Sequence, residues 1–138
     1  MYKGLCLCGA VTISVSKSVD QISVCHCGMC QKMERGFTGF SIDGGSNLTI
    51  EGKEAITVFA SSSWGERAFC KHCGTHLFYH LISPSTYYVS AALFEESKNA
   101  QMSMQIYIES KPKYYNFVEK TPMLTEQDII KLMGGVSD

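Results

Sequence analysis

Three cysteines within six residues, Cys25-His26-Cys27-Gly28-Met29-Cys30, constrain this chain more than any other stretch. A strand alternates its side chains between two faces, so Cys25 and Cys27 can point one way while His26 points the other. A turn at Gly28-Met29 then returns Cys30 to the same point. Three converging thiols suit a soft or borderline metal, and zinc is the commonest such ion. Zinc takes four ligands, however, and the stretch supplies three. One reading leaves the fourth position open to water or a substrate sulfur, the catalytic form of such a site. The other closes it with His72, His76, His80 or a carboxylate, the structural form.

The chain has seven cysteines, and its compartment decides how they are read. No apolar stretch reaches the roughly 18–20 residues of a transmembrane helix. Met1-Tyr2-Lys3-Gly4 lacks the apolar core of a signal peptide. The expected location is therefore cytoplasmic, where thiols stay reduced and clustered cysteines bind metal or do chemistry. An odd count also fits a disulfide framework poorly. With a net charge of −1 and a pI near 6.4, the chain offers no electrostatic footprint for nucleic acid or an anionic membrane, and neither partner is expected. The length suits a single domain over 1–138, with 134–138 a loose tail.

Short alternating segments dominate the rest. Val11, Ile13 and Val15 alternate with Thr12, Ser14 and Ser16, the pattern of a half-buried strand. Strands are also expected at 21–24, 37–42, 76–82, 87–94 and 103–108, and one helical turn at 31–35. Leu48-Thr49-Ile50 and Ile56-Thr57-Val58-Phe59 flank Glu51-Gly52-Lys53 and read as a hairpin. Thr125-Glu126-Gln127-Asp128 has the form of a capping box with Asp at its third position. Ile129, Ile130, Leu132 and Met133 follow it, with Gly134 as the stop. About eight strands and one terminal helix make a mainly β domain.

The remaining cysteines form two pairs. Cys6-x-Cys8 precedes Gly9, and Cys70-x2-Cys73 precedes Gly74 in the manner of a zinc knuckle. Together they would make a closed site of four thiolates, leaving Cys25, Cys27 and Cys30 as a triad. Spacing also permits other partitions, such as Cys25 and Cys27 with the knuckle.

These blocks, in this order, resemble the glutathione-dependent formaldehyde-activating enzyme family, which includes centromere protein V. The resemblance rests on Cys6-Leu7-Cys8-Gly9-Ala10-Val11, Cys25-His26-Cys27-x2-Cys30 and Arg67-Ala68-Phe69-Cys70-x2-Cys73-Gly74. Ser63-Trp64-Gly65-Glu66 and Lys111-Pro112 add to it, although Tyr114-Tyr115 stand where relatives often carry Trp. It implies a β-tent of antiparallel sheets stapled by zinc. It implies two Zn2+ per chain, a structural one on Cys6, Cys8, Cys70 and Cys73 and a catalytic one on Cys25, Cys27 and Cys30. It also implies a carbon–sulfur lyase joining a glutathione-like thiol to a formaldehyde-like aldehyde as an S-hydroxymethyl adduct. A non-catalytic zinc or thiol carrier is the alternative.

Thiol activation suits a three-thiolate site. A free thiol is mostly protonated at neutral pH, whereas a coordinated one is deprotonated. Three thiolates around a divalent ion leave a net charge of −1, which makes a poor Lewis acid for the aldehyde oxygen. Lys32, Arg35, Arg67 and Lys71 are the cations near the metal blocks, each expected as a solvated surface charge. His26 is expected to face away from the metal, and His76 and His80 to share one strand face.

Overall fold

In this computed structural model, residues 1–33 and 39–133 are described. Along the chain come β1 (Tyr2–Leu5), β2 (Thr12–Val15), β3 (Gln21–Cys25), α1 (Gly28–Met33), β4 (Gly39–Asp43) and β5 (Thr49–Glu51). After them come β6 (Ile56–Phe59), β7 (Gly65–Cys70), β8 (His76–Leu81), β9 (Thr86–Ser90), β10 (Gln101–Ile106), β11 (Met123–Leu124) and α2 (Glu126–Leu132). The fold is mainly β, with one short C-terminal helix.

Two sheets form. A three-stranded antiparallel sheet has the order β1-β2-β5, and an eight-stranded sheet the order β11-β10-β3-β4-β9-β8-β7-β6. Pairing is antiparallel throughout except that β10 runs parallel to both β3 and β11. The core lies between the sheets. Val11, Ile13 and Val15 on and beside β2 are fully buried there, with Ile42, Ala68, Leu77, Phe78 and Val89 from the larger sheet. The alternation along 11–15 therefore marks the inward face, and burying each such side chain contributes about 1.5–3 kcal/mol.

Three expectations are corrected. Residues 48–59 make no hairpin, because β5 pairs with β2 and β6 pairs with β7. Gly52 at φ 84 leads into a 3-10 turn at Lys53–Ala55, which carries the chain from the small sheet to the large one. The strand expected over 87–94 ends at Ser90 and gives way to a 3-10 turn at Ala91–Leu93. The N-terminal strand β1, unmarked by alternation, owes its place to pairing with β2. The helical turn begins at Gly28, earlier than residue 31. Arg35, Phe37 and Thr38, the Gly134 stop and the tail at 134–138 lie outside the described residues.

The capping box forms as expected. The Thr125 hydroxyl accepts from the Asp128 amide at 3.1 Å, and the Asp128 carboxylate accepts from the Thr125 amide at 2.9 Å. Among the described residues, no helix is long and apolar enough to cross a membrane.

Candidate metal centres

The sulfurs of Cys6, Cys8, Cys70 and Cys73 lie within 4.8 Å of one another. Cys6 and Cys8 follow β1, Cys70 ends β7 and Cys73 lies in the turn after it, so the cluster joins the small sheet to the large one. Gly9 at φ 80 and Gly74 at φ 77 occupy the left-handed region that a side chain disfavours, and each completes a tight turn. The Gly9 amide donates to the Cys6 carbonyl at 3.0 Å, and the Gly74 amide to the Cys70 carbonyl at 2.7 Å. The Cys6–Cys8 and Cys8–Cys70 sulfur separations are 3.7 and 3.8 Å. Ligands about 2.3 Å from a tetrahedral zinc would stand about 3.8 Å apart, so the donor set fits that ion.

Amide and hydroxyl donors face the sulfurs. The Val11 amide donates to Cys6 Sγ at 3.4 Å. Thr75, which the sequence reading passed over, ties the two turns together. Its hydroxyl accepts from the Leu7 amide at 3.2 Å and lies 3.1 Å from Cys73 Sγ. This hydroxyl, followed by the Thr75 amide, brings the Cys73 thiol down to about 5. A sulfur so supported is ready to serve as a thiolate ligand.

Cys25, Cys27 and Cys30 also bring their sulfurs within 4.8 Å of one another. Cys25 ends β3, and α1 turns Cys30 back towards it. The Cys30 amide donates to Cys27 Sγ at 3.3 Å. Hydrogen bonds from Cys25 and then Cys30 hold the Cys27 thiol far below its usual range, while the hydrogen bonds that Cys25 gives to Cys27 and Cys30, and then its burial, push Cys25 up. The isolated triad thus favours one negative charge shared among three sulfurs. Among the described residues, no histidine, carboxylate or further cysteine joins it as a fourth ligand. His72, His76 and His80 all stand outside the cluster.

Arg67 departs most from expectation. It is 3% exposed, not a solvated surface charge, and its two terminal nitrogens donate to Cys30 Sγ at 3.6 and 3.7 Å. Its Nε donates to Ser61 Oγ at 3.3 Å, and its guanidinium lies over the Tyr79 ring, 4.8 Å from the centroid. Strands β3 and β7 are separated by β4, β9 and β8, so the contact requires the large sheet to curl. Alternation along β7 puts Cys70 on the core side and Arg67 on the opposite side, so one strand serves both centres. Lys32 and Lys71 are exposed, as expected.

On Arg67's side, Tyr79 pairs with Arg67 and stacks on Tyr88. Burial raises Tyr79 to about 12, opposed by the charge of Arg67 and reinforced by the sulfurs of Cys30, Cys27 and Cys25. Tyr107 is raised to about 12 by burial, Glu126 and then Cys25 and Cys27. Both phenols stay protonated at neutral pH. His76 and His80 do not share a face. A bulge in the β7–β8 ladder turns Leu77 into the core beside Phe78 and leaves His76 opposite Phe69. His80 instead stacks on Tyr87 and meets Glu66 at 3.1 Å.

His26 is fully buried and faces away from the triad, as alternation predicts. Its Nδ1 lies 2.8 Å from the Tyr115 hydroxyl and its Nε2 2.9 Å from Gln105 Oε1. Gln31 donates to the carbonyls of His26 and Ser110. Lys111 donates to the carbonyls of Pro112 and Tyr115. The segment after β10 is thus strapped over the back of the triad loop.

The family model described as glutathione-dependent formaldehyde-activating enzyme matches residues 1–110. The chain belongs to that family. An uncharacterized lyase of Schizosaccharomyces pombe is 33% identical over 132 residues, covering 94% of this chain and 95% of its own length. A crystal structure of a Rhodobacter sphaeroides protein shares the fold, with a TM-score of 0.57 and 21% identity over 88% of this chain and 98% of that one. The formaldehyde-activating family match takes in all seven cysteines and Arg67. It stops short of Lys111 and Tyr115, so the strap over His26 lies beyond it. Membership of this family and the lyase relative support a lyase-type enzyme.

Proposed function

We propose that this protein is a zinc-dependent carbon–sulfur lyase that joins a glutathione-like thiol to a formaldehyde-like aldehyde, or splits the S-hydroxymethyl adduct. The observation that carries the reading is the triad itself: three sulfurs within 4.8 Å, with no fourth protein ligand among the described residues. Cys25, Cys27 and Cys30 hold the catalytic Zn2+, and Cys6, Cys8, Cys70 and Cys73 the structural one. When bound, zinc at the triad makes a thiol acidic enough to react as thiolate at neutral pH.

The chain's own groups do the remaining work. In the forward direction the sulfur lone pair forms a bond to the aldehyde carbon, the carbon–oxygen π electrons move to oxygen, and that oxygen takes up a proton. Neutral phenols near the triad suit this need, since Tyr79 and Tyr107 remain protonated up to about 12. Arg67, already engaged with Cys30, holds α1 against β7 and so fixes the third sulfur. His26 keeps the Cys25–Cys27 loop seated from behind.

The test is the rate of adduct formation from glutathione and formaldehyde by the two-zinc protein, against the uncatalysed reaction. Saturable acceleration that disappears in Cys30→Ser supports the reading. Saturable thiol binding with no acceleration would instead assign a zinc or thiol carrier.

A further inference from the structure

We propose that Arg67 sets the charge preference of the triad site, acting as the countercharge that lets the metal-loaded triad admit an anionic thiolate. The inference rests on the proposed function, since it takes the triad as the metal site that meets the thiol. Among the described residues, no carboxylate pairs with this guanidinium. A cation 3% exposed to solvent needs an anionic partner, because removing an unpaired charge from water costs several kcal/mol. The group that the two terminal nitrogens meet is Cys30 Sγ, at 3.6 and 3.7 Å.

The charge count then favours one class of partner. Three thiolates and a divalent ion sum to −1, and Arg67 brings the enclosed group to zero. A neutral thiol that gives its proton to solvent and enters as thiolate takes the sum to −1. Without Arg67 the same event would concentrate −2 in a half-buried site. A neutral ligand such as imidazole changes neither sum. Arg67 is thus a positioning residue: it touches a ligand sulfur and not the substrate, and it tunes which partner the site tolerates.

The experiment loads wild-type protein and Arg67→Met with Co2+ at both centres and follows the sulfur-to-cobalt absorption bands. Each protein is titrated with 2-mercaptoethanol, then separately with imidazole. An opposite charge within a few ångströms shifts an ionisation by about 1–3 pH units, so thiol affinity should fall about tenfold to a thousandfold in Arg67→Met. Imidazole affinity should stay within about threefold of wild type, because no net charge enters. Arg67→Lys keeps the charge and should keep thiol binding within about tenfold of wild type. If Arg67→Met does not fold, Arg67→Gln, which removes the charge and keeps a polar donor, takes its place in both titrations with the same expected outcomes. Equal thiol affinity in wild type and Arg67→Met overturns the inference. So does a parallel loss of thiol and imidazole in either variant, which marks a purely structural role. Wild-type protein that takes up a single cobalt and shows no response to thiol overturns the proposed function, and this inference with it.

Discussion

His26 and Tyr115, 89 residues apart in sequence, meet in a 2.8 Å hydrogen bond behind the triad. The bond fixes a tautomer. Gln105 Nε2 donates to Thr121 Oγ1 at 3.3 Å, so its Oε1 is the acceptor that faces His26. His26 Nε2 therefore carries the proton, and Nδ1 accepts from the Tyr115 hydroxyl. Burial lowers the His26 pKa and keeps the ring neutral, as this arrangement requires. The residue between two metal-ligand candidates is thus held by both nitrogens, and the backbone of Cys25 and Cys27 is held with it.

Replacing His26 by Phe should fill the space and break this anchor. Gln105, 1% exposed, would lose the donor to its Oε1, and a buried orphan acceptor costs about 1–3 kcal/mol. The thermal midpoint should fall by several degrees, and a chelator should strip the triad metal faster than from wild type. Calorimetry and timed metal release check both. An unchanged release rate would mean that the strap does not support the triad.

Cys73→Ser should be far more damaging to the fold. The four-cysteine site ties residue 6 to residue 73, closing the chain between β1 and β7. Structural zinc contributes about 10–16 kcal/mol in zinc-finger peptides, and typical domains are stable by about 5–15 kcal/mol. Losing one ligand should give insoluble protein or a greatly lowered midpoint. Soluble Cys73→Ser protein that melts where wild type does would sink the structural role.

Short-range patterns were legible in the sequence and long-range ones were not. The Thr125 capping box and the inward row Val11, Ile13, Val15 depend on neighbours within five residues, and both appear, although Ser14 on the other face is buried as well. The grouping of the cysteines also emerged, because the triad converges locally and the family resemblance joined the two distant pairs. Arg67 misled because a charge in a strand is ordinarily at the surface; nothing local reveals that its guanidinium meets Cys30 Sγ, 37 residues away. The supposed hairpin failed at Gly52, where one left-handed residue sends consecutive strands to different sheets. His76 and His80 were misassigned because a bulge reverses alternation and leaves no mark in composition. Thr75 and Gln105 gain their roles from partners 68 and 79 residues away.

Stability should decline in mild acid partly through His76. Burial, then the charge of Arg67, brings its folded pKa down to about 4, against about 6.5 in the unfolded chain. Above about pH 6.5 both states are neutral and His76 contributes no pH dependence. Between about 6.5 and 4 the unfolded chain binds a proton that the folded one refuses, so stability falls as pH falls. Below about 4 the effect levels off. Acid also strips thiolate-bound metal, so the measurement is the difference in denaturation midpoint between wild type and His76→Gln, from about pH 7 to about pH 5. The wild type should lose more stability over that range. Parallel curves would show that His76 takes up its proton in the folded state as readily as in the unfolded one.

Cys30→Ser should separate chemistry from folding. Cys25, Cys27 and Cys30 lie close in sequence, so a metal there closes almost no loop and removes little entropy from the unfolded chain. The serine hydroxyl can still accept from the Arg67 guanidinium, and the negative charge favoured at Cys27 remains to balance it. The variant should therefore stay folded, melting within a few degrees of wild type. Two remaining thiols, Cys25 and Cys27, should not retain zinc, and the preparation should carry close to one zinc per chain where wild type carries two. Acceleration of adduct formation from glutathione and formaldehyde should vanish. Metal analysis, a melting curve and that rate are to be measured on the same two preparations. A variant that keeps both zincs overturns the partition of the cysteines. One that loses a single zinc and unfolds makes the triad a second structural site, because the lost metal would then have been holding β3 and α1 in place.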